Sequence, residues 1–166
     1  YEGGIRVPLI IRWPGKVRAG ATESTPVCST DLFPTVLKVA GLEPTPGTPL
    51  DGEDLLPLLT GKGSLERTSI FWHYPHYNSH PSSFPSSVIR KGRWKLIETF
   101  DPAGIELYNL ADDLGETNNL ATSAPDKVAE LRRELETWRV SVGAERMLPN
   151  PDYDPSIEPN KRNRAR

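Results

Sequence analysis

The stretch Val7 to Trp13, reading Val-Pro-Leu-Ile-Ile-Arg-Trp, limits what this chain can build more than any other feature. It is short, nearly continuously apolar, and bounded by Gly3-Gly4 and Pro14-Gly15. Runs of this kind suit a strand buried on both faces, as in a covered parallel sheet. Such a strand needs neighbours, and no other run in the chain resembles it. The N-terminal part is therefore expected to be a piece of a larger sheet. An uncovered strand of this type is also expected to make the chain self-associate.

A helix is predicted next, over Asp31 to Ala40. Thr30 or Asp31 can cap it, and Pro34 falls in the first turn, where a missing N–H does little harm. Phe33, Val36, Leu37 and Ala40 share one face, and Gly41 is a natural stop. Leu50 to Gly61 carries a short helical turn, with Leu55, Leu56, Leu58 and Leu59 as anchors around Pro57.

From Ser69 the pattern changes. Ser69 to Tyr74 is rich in β-branched and aromatic residues and reads as a strand. Ser87 to Arg90 and Trp94 to Glu98 read as two more, joined by a tight turn through Lys91-Gly92-Arg93. Asp101 to Gly104 is a second turn, and Ile105 to Leu110 a fourth strand with Ile105 and Leu107 on one face. Pro125 to Val142 is a helix, with Ser123 as cap and Asp126 as its capping-box partner. Val128, Leu131, Leu135, Trp138 and Val142 form its single apolar stripe, and Arg132–Glu136 is an i,i+4 ion pair. One stripe on one helix suits covering a small sheet. The C-terminal half is therefore α+β, a meander of about four antiparallel strands packed by a helix.

Three parts follow: residues 1–66 as the end of a large α/β domain, 67–145 as the small sheet with its helix, and 146–166 as a Pro-rich, basic, disordered tail. That tail places Lys161, Arg162, Arg164 and Arg166 in the last six residues and is expected to be a solvated terminus. Net charge is only -2, so no global field favours nucleic acid or an anionic membrane. No apolar run approaches the ~20 residues that span a bilayer. The single cysteine, Cys28, excludes an internal disulfide and a cysteine-based metal cluster. The chain opens on motif-like sequence without Met, which reads as a truncation.

Most candidate chemistry is weak. His73, His76 and His80 are the three histidines. His73 and His76 flank Pro75, but no carboxylate or Cys lies nearby to complete a zinc site. Aromatic rings beside histidines on a loop suit a polar pocket wall that meets sugar rings or anions. Structural packing is the competing reading. Asp112 to Glu116 and Asp51 to Asp54 are acidic turns without the ligand spacing of a calcium loop. There is no G-x-S-x-G elbow and no complete phosphate loop.

The specific wording carries further. Tyr1-Glu2-Gly3-Gly4-Ile5-Arg6-Val7-Pro8 resembles the E-G-G-x-R-V-P segment of the type I sulfatases. Thr30 to Thr35 resembles that family's D-[FLI]-x-P-T helix start, and Leu50-Asp51-Gly52 with Leu55 to Leu59 its L-D-G…L-x-P-L-L segment. Arg90 to Ile97 resembles its R-x-G-x-[WY]-K-[LY] hairpin. Glu106 to Leu110, Asp113 to Glu116 and Asn119-Leu120 resemble its E-L-Y-[ND]-L-x-x-D-P-x-E-x-x-N-L, with Leu114 where Pro and its neighbour usually stand. The pieces run in order from residue 1 to about 143.

The resemblance implies an α/β parent fold like the alkaline-phosphatase superfamily, followed by a small antiparallel domain. It implies sulfate-ester hydrolysis, aryl or carbohydrate, with calcium and a formylglycine, and a periplasmic or secreted location. The nucleophile motif C/S-x-P-x-R is not met in this chain: Ser24-Thr25-Pro26, Ser79-His80-Pro81 and Ser83-Phe84-Pro85 match at Ser and Pro only. Calcium, formylglycine, the acidic ligands and the active-site lysine are all implied to lie upstream. No catalytic or metal residue is assigned here. The loop from Trp72 resembles one that borders the substrate pocket, so His73, His76 and Tyr77 are the implied substrate contacts. Three readings remain open: a part of a sulfatase inactive by itself, a binding module for sulfated glycans, and a non-catalytic structural piece.

Overall fold

The computed structural model describes residues 1–77, 84–148 and 151–152. His80 with its serine-rich surroundings, and the basic stretch of the tail, lie outside the described residues. The chain divides into two compact units, one of Val7–Thr68 and one of Tyr1–Arg6 together with Ser69 onward.

The second unit is built on a four-stranded antiparallel meander: β1 (Ser69–Tyr74), β2 (Ser86–Lys91), β3 (Trp94–Phe100) and β4 (Ala103–Asn109). Lys91 pairs with Trp94 across a two-residue turn, in which Gly92 takes the positive φ of 56° that this hairpin demands. The register aligns Phe71, Ile89, Leu96 and Leu107 across all four strands. Helix α4 (Pro125–Ser141) lays Leu131 and Leu135 on that row, with Val128 and Trp138 beside them. Trp138 stacks on Phe71 at 4.8 Å and an interplanar angle of 4°. This is the predicted sheet with its helix.

Several details differ from expectation. Ser123 does not cap α4; its hydroxyl donates to the Leu120 carbonyl, and Ala124 takes the cap position. Arg132 leaves the helix surface and pairs with Glu98 on β3, while Glu136 pairs with Arg139 and Arg146. Val142 ends the helix half exposed. The open edge of β4 is closed by Asn119 and Leu120: the Leu107 N–H donates to Asn119 Oδ1 (3.0 Å) and the Leu120 N–H to the Leu107 carbonyl (2.8 Å). The sheet edge is thereby covered at Leu107.

In the Val7–Thr68 unit, the Val7–Trp13 run forms no strand. A lone strand has no ladder to join, so its backbone stays irregular and Ile10 is 89% exposed. After a 3-10 turn at Ser29–Asp31 comes α2 (Leu32–Ala40), ended by Gly41 in the left-handed region at φ 69°. Its apolar face is turned outward, with Phe33 55% and Val36 63% exposed. The inward face is polar. Thr35 donates to the Asp31 carbonyl (2.6 Å) and accepts from the Leu55 N–H (2.9 Å), just before the short α3 (Leu56–Leu59). Leu55 is the buried aliphatic residue among the described residues of this unit.

Candidate functional site

Among the described residues, three places gather chemistry-bearing groups. The first is the predicted histidine loop. His73 lies on β1, where Nδ1 meets the buried Ser87 hydroxyl at 2.7 Å and Nε2 meets the Glu145 carbonyl at 2.6 Å. Both ring nitrogens thus serve the protein's own packing. His76 lies beyond the strand, exposed, edge-on to Tyr74 at 5.4 Å. Tyr77 is exposed too, and its hydroxyl donates to Asp101. His76 and Tyr77 sit together on one loop, whereas His73 is built into the sheet.

The second place is the sheet face turned away from α4. Alternation places Arg90, Lys95 and Tyr108 in direct cross-strand register on it. Lys95 is 1% exposed. A buried ammonium requires partners, and it finds two carboxylates. Its Nζ lies 3.1 Å from Glu2 Oε1 and 2.8 Å from Glu116 Oε1. Glu2 sits on the helical turn α1 (Glu2–Ile5) and is itself 4% exposed. Its backbone N–H donates to Glu116 Oε2. Arg90 and Arg6 flank its other oxygen at 3.6 and 3.8 Å. Alongside, the Tyr1 and Tyr108 hydroxyls both donate to Glu106 Oε2 at 2.9 Å, with their rings edge to face. Burial, then the hydrogen bond to Glu106, push the Tyr108 phenol far above its usual value. The same two causes raise Tyr1. Both therefore remain protonated donors at neutral pH. A cavity of about 740 Å³ opens beside this cluster, lined among others by Tyr1, Glu2, Gly3, Arg6 and Glu116.

Glu116 adopts φ 54°, the one non-glycine residue with positive φ among the described residues. A side chain in that region is held there by its surroundings or replaced by glycine. Here the surroundings are Lys95 and the Glu2 amide.

The third place is the Asp31 clamp. Asp31 is fully buried and takes a bidentate pair from Arg67. It also accepts the Cys28 N–H (2.8 Å) and the Glu53 N–H (3.0 Å). Burial pushes its carboxyl up, but the Arg67 and backbone hydrogen bonds outweigh it and hold the carboxyl below its usual value. Glu53 in turn accepts from the Glu66 and Arg67 backbone N–H groups. Three loops are thus tied through two carboxylates.

The sequence marks the acidic turns at 51–54 and 112–116 as turns and motif pieces, and gives Lys95 no role beyond the hairpin motif that contains it. A signal existed for Lys95. Val88 and Ile97 share its face, so that face is not simply solvent, and a lysine there calls for a partner. Nothing local identifies Glu2 or Glu116 as that partner, because they lie 93 and 21 positions away (95 minus 2, and 116 minus 95).

Comparison with known proteins places these features. Residues 1–141 match the profile of a family described as N-sulphoglucosamine sulphohydrolase, C-terminal. A sulfatase of Formosa agariphila is 32% identical over 159 residues, covering 87% of this chain and 29% of the relative. Human arylsulfatase A is 33% identical over 168 residues, covering 87% of this chain and 32% of the relative. Among solved structures, BT4656 in complex with its substrate D-glucosamine-2-N,6-O-disulfate superposes with a TM-score of 0.69 at 30% identity. It covers 78% of this chain and 27% of that one. The chain spans about a third or less of each relative's length.

Proposed function

This chain belongs to the sulfatase family, as the C-terminal portion of a type I enzyme, and on that footing we propose that it completes the fold of a longer hydrolase of sulfate esters. The observation that carries this reading is the continuous family match through both compact units, over residues 1–141, on less than a third of the solved relative. The outward apolar residues support it: Val7, Ile10, Phe33, Val36 and Val39 are all exposed here, and a unit with so little buried apolar surface gains stability by packing on something larger. We infer that this surface meets the rest of the parent fold, and that the isolated chain self-associates through it.

The ester-cleaving groups are assigned to residues outside this chain. Among the described residues no three His, Cys, Asp or Glu side chains come together as a metal site. They do not fit the calcium that the resemblance implies, and no step of cleavage is routed through them. The substrate is inferred to be a sulfated sugar or a small sulfate ester, in keeping with the disulfated glucosamine of BT4656. This chain contributes a wall of that pocket through the loop carrying His76 and Tyr77. His73 holds the loop's base through Ser87 and the Glu145 carbonyl.

In the full-length protein, His76→Ala is expected to raise KM for a sulfated saccharide by about three- to ten-fold, the worth of one hydrogen bond, with kcat nearly unchanged. Steady-state kinetics checks this. An unchanged KM removes the pocket-wall role and leaves fold completion as the function.

A further inference from the structure

We propose that Lys95 is a positioning residue: with Glu116 it locks the Glu2-Gly3-Gly4 turn in the place where the rest of the enzyme meets it, an inference that rests on the sulfatase reading above. Four observations converge on the lock. The turn belongs to the C-terminal unit although 62 residues, Val7–Thr68, intervene before Ser69. The ammonium and its two carboxylates are almost wholly removed from solvent, with side chains 1%, 4% and 1% exposed for Lys95, Glu2 and Glu116. Glu116 holds a backbone conformation that glycine would adopt more readily, and its carboxylate contacts with Lys95 and the Glu2 amide hold it there together with its own N–H bond to the Asp113 carbonyl.

The fourth concerns the cargo of the lock. Gly3 and Gly4 stand in a helical turn, where glycine is a poor choice. Neither has the positive φ that would require it, and a Cβ built on either meets nothing within 4 Å. No contact among the described residues accounts for these two glycines. Gly3 lines the 740 Å³ cavity beside the lock. A bare backbone facing an open cavity is a surface for close approach, so the turn is presented to another part of the enzyme. Lys95 fixes where it is presented.

A small displacement at such a junction acts on the chemical step more than on substrate affinity, because misplacement of about 1 Å can cost about a hundred-fold in rate. The test is kinetic, in the full-length protein on 4-methylumbelliferyl sulfate. Lys95→Met is expected to lower kcat about ten-fold or more with KM within about two-fold. Lys95→Arg, which keeps the charge, recovers part of the loss. A Lys95→Met enzyme with wild-type kcat and only a lower melting temperature overturns the proposal, since the lock would then be structural alone. If Lys95→Met does not fold, Gly3→Ala decides. Its methyl meets nothing among the described residues, so melting is unchanged or raised while kcat falls; an unchanged kcat overturns the proposal. Absence of turnover in the wild-type parent rejects the sulfatase reading itself, and is distinct from either variant result.

Discussion

Replacing Gly52 with alanine is expected to destabilise the Val7–Thr68 unit strongly. A Cβ at this position would lie 2.2 Å from the Thr30 carbonyl oxygen, 2.4 Å from its carbon and 2.6 Å from the Asp31 nitrogen. All three atoms are backbone, so no side chain can swing aside. Separation must come from moving the Thr30–Asp31 peptide, and that peptide carries the clamp. Overpacking against a yielding side chain costs about 1–3 kcal/mol; against backbone that anchors a buried ion pair we expect about 3 kcal/mol or more. A shift of that size moves the melting point of a unit this small by about 12 °C or more. Hydrogen exchange of the Thr35 and Leu55 amides checks it: both should lose protection in Gly52→Ala, while the amides of β3 keep theirs. Wild-type protection at Leu55 would show that the loop yields more easily than the contact implies.

The second large effect is at Asp31. Asp31→Ala leaves the Arg67 guanidinium, whose side chain is 17% exposed, without its partner, and it frees the Cys28 and Glu53 N–H groups. Breaking a buried pair by removing one member costs about 3–5 kcal/mol. Taking out Arg67 as well, in Asp31→Ala/Arg67→Met, is expected to recover part of that, since no uncompensated charge remains. The pH dependence has a definite sign. The folded carboxyl is held below its unfolded value of about 3.9, so its stabilisation is complete above that pH. It is lost as pH falls through the lower folded value. Urea melts of wild type and Asp31→Asn should therefore differ by a constant amount at neutral pH and converge below about pH 3.9. A gap that persists unchanged into stronger acid would place the Asp31 contribution in shape and not in charge.

Periodicity made the C-terminal unit largely legible. Phe71, Ile105, Leu107 and the stripe from Val128 to Trp138 alternate or recur at the spacing their elements require, and the structure packs them on one core. The Val7–Trp13 run was misleading because a strand is a property of a pair. Its residues favour a sheet, but no strand among the described residues pairs with it. The α2 stripe shows the same limit. Phe33 and Val36 do share a face, yet spacing alone does not say what that face meets. Local capping rules failed at Ser123 because the cap position falls one residue later, on Ala124, while the Ser123 hydroxyl donates back to the Leu120 carbonyl. Arg132 left its helical neighbour Glu136 because Glu98 offers a second cation site together with Arg139.

The candidate sites were legible in proportion to how local they are. His76 and Tyr77 could be read as an exposed pair from the loop alone. His73 could not be separated from them, because its partners Ser87 and Glu145 arrive from other elements. The lock at Lys95 joins three segments, and Asp51-Gly52 hid its reason entirely. The glycine is required by the Thr30–Asp31 peptide, 20 or more positions earlier in the chain.

The decisive experiment is turnover of 4-methylumbelliferyl sulfate in the presence of calcium, measured for this chain and for the full-length protein that carries it. Hydrolysis is expected from the full-length protein and none from residues 1–166 alone. Turnover by the isolated chain would contradict the assignment of the ester-cleaving groups to residues outside it.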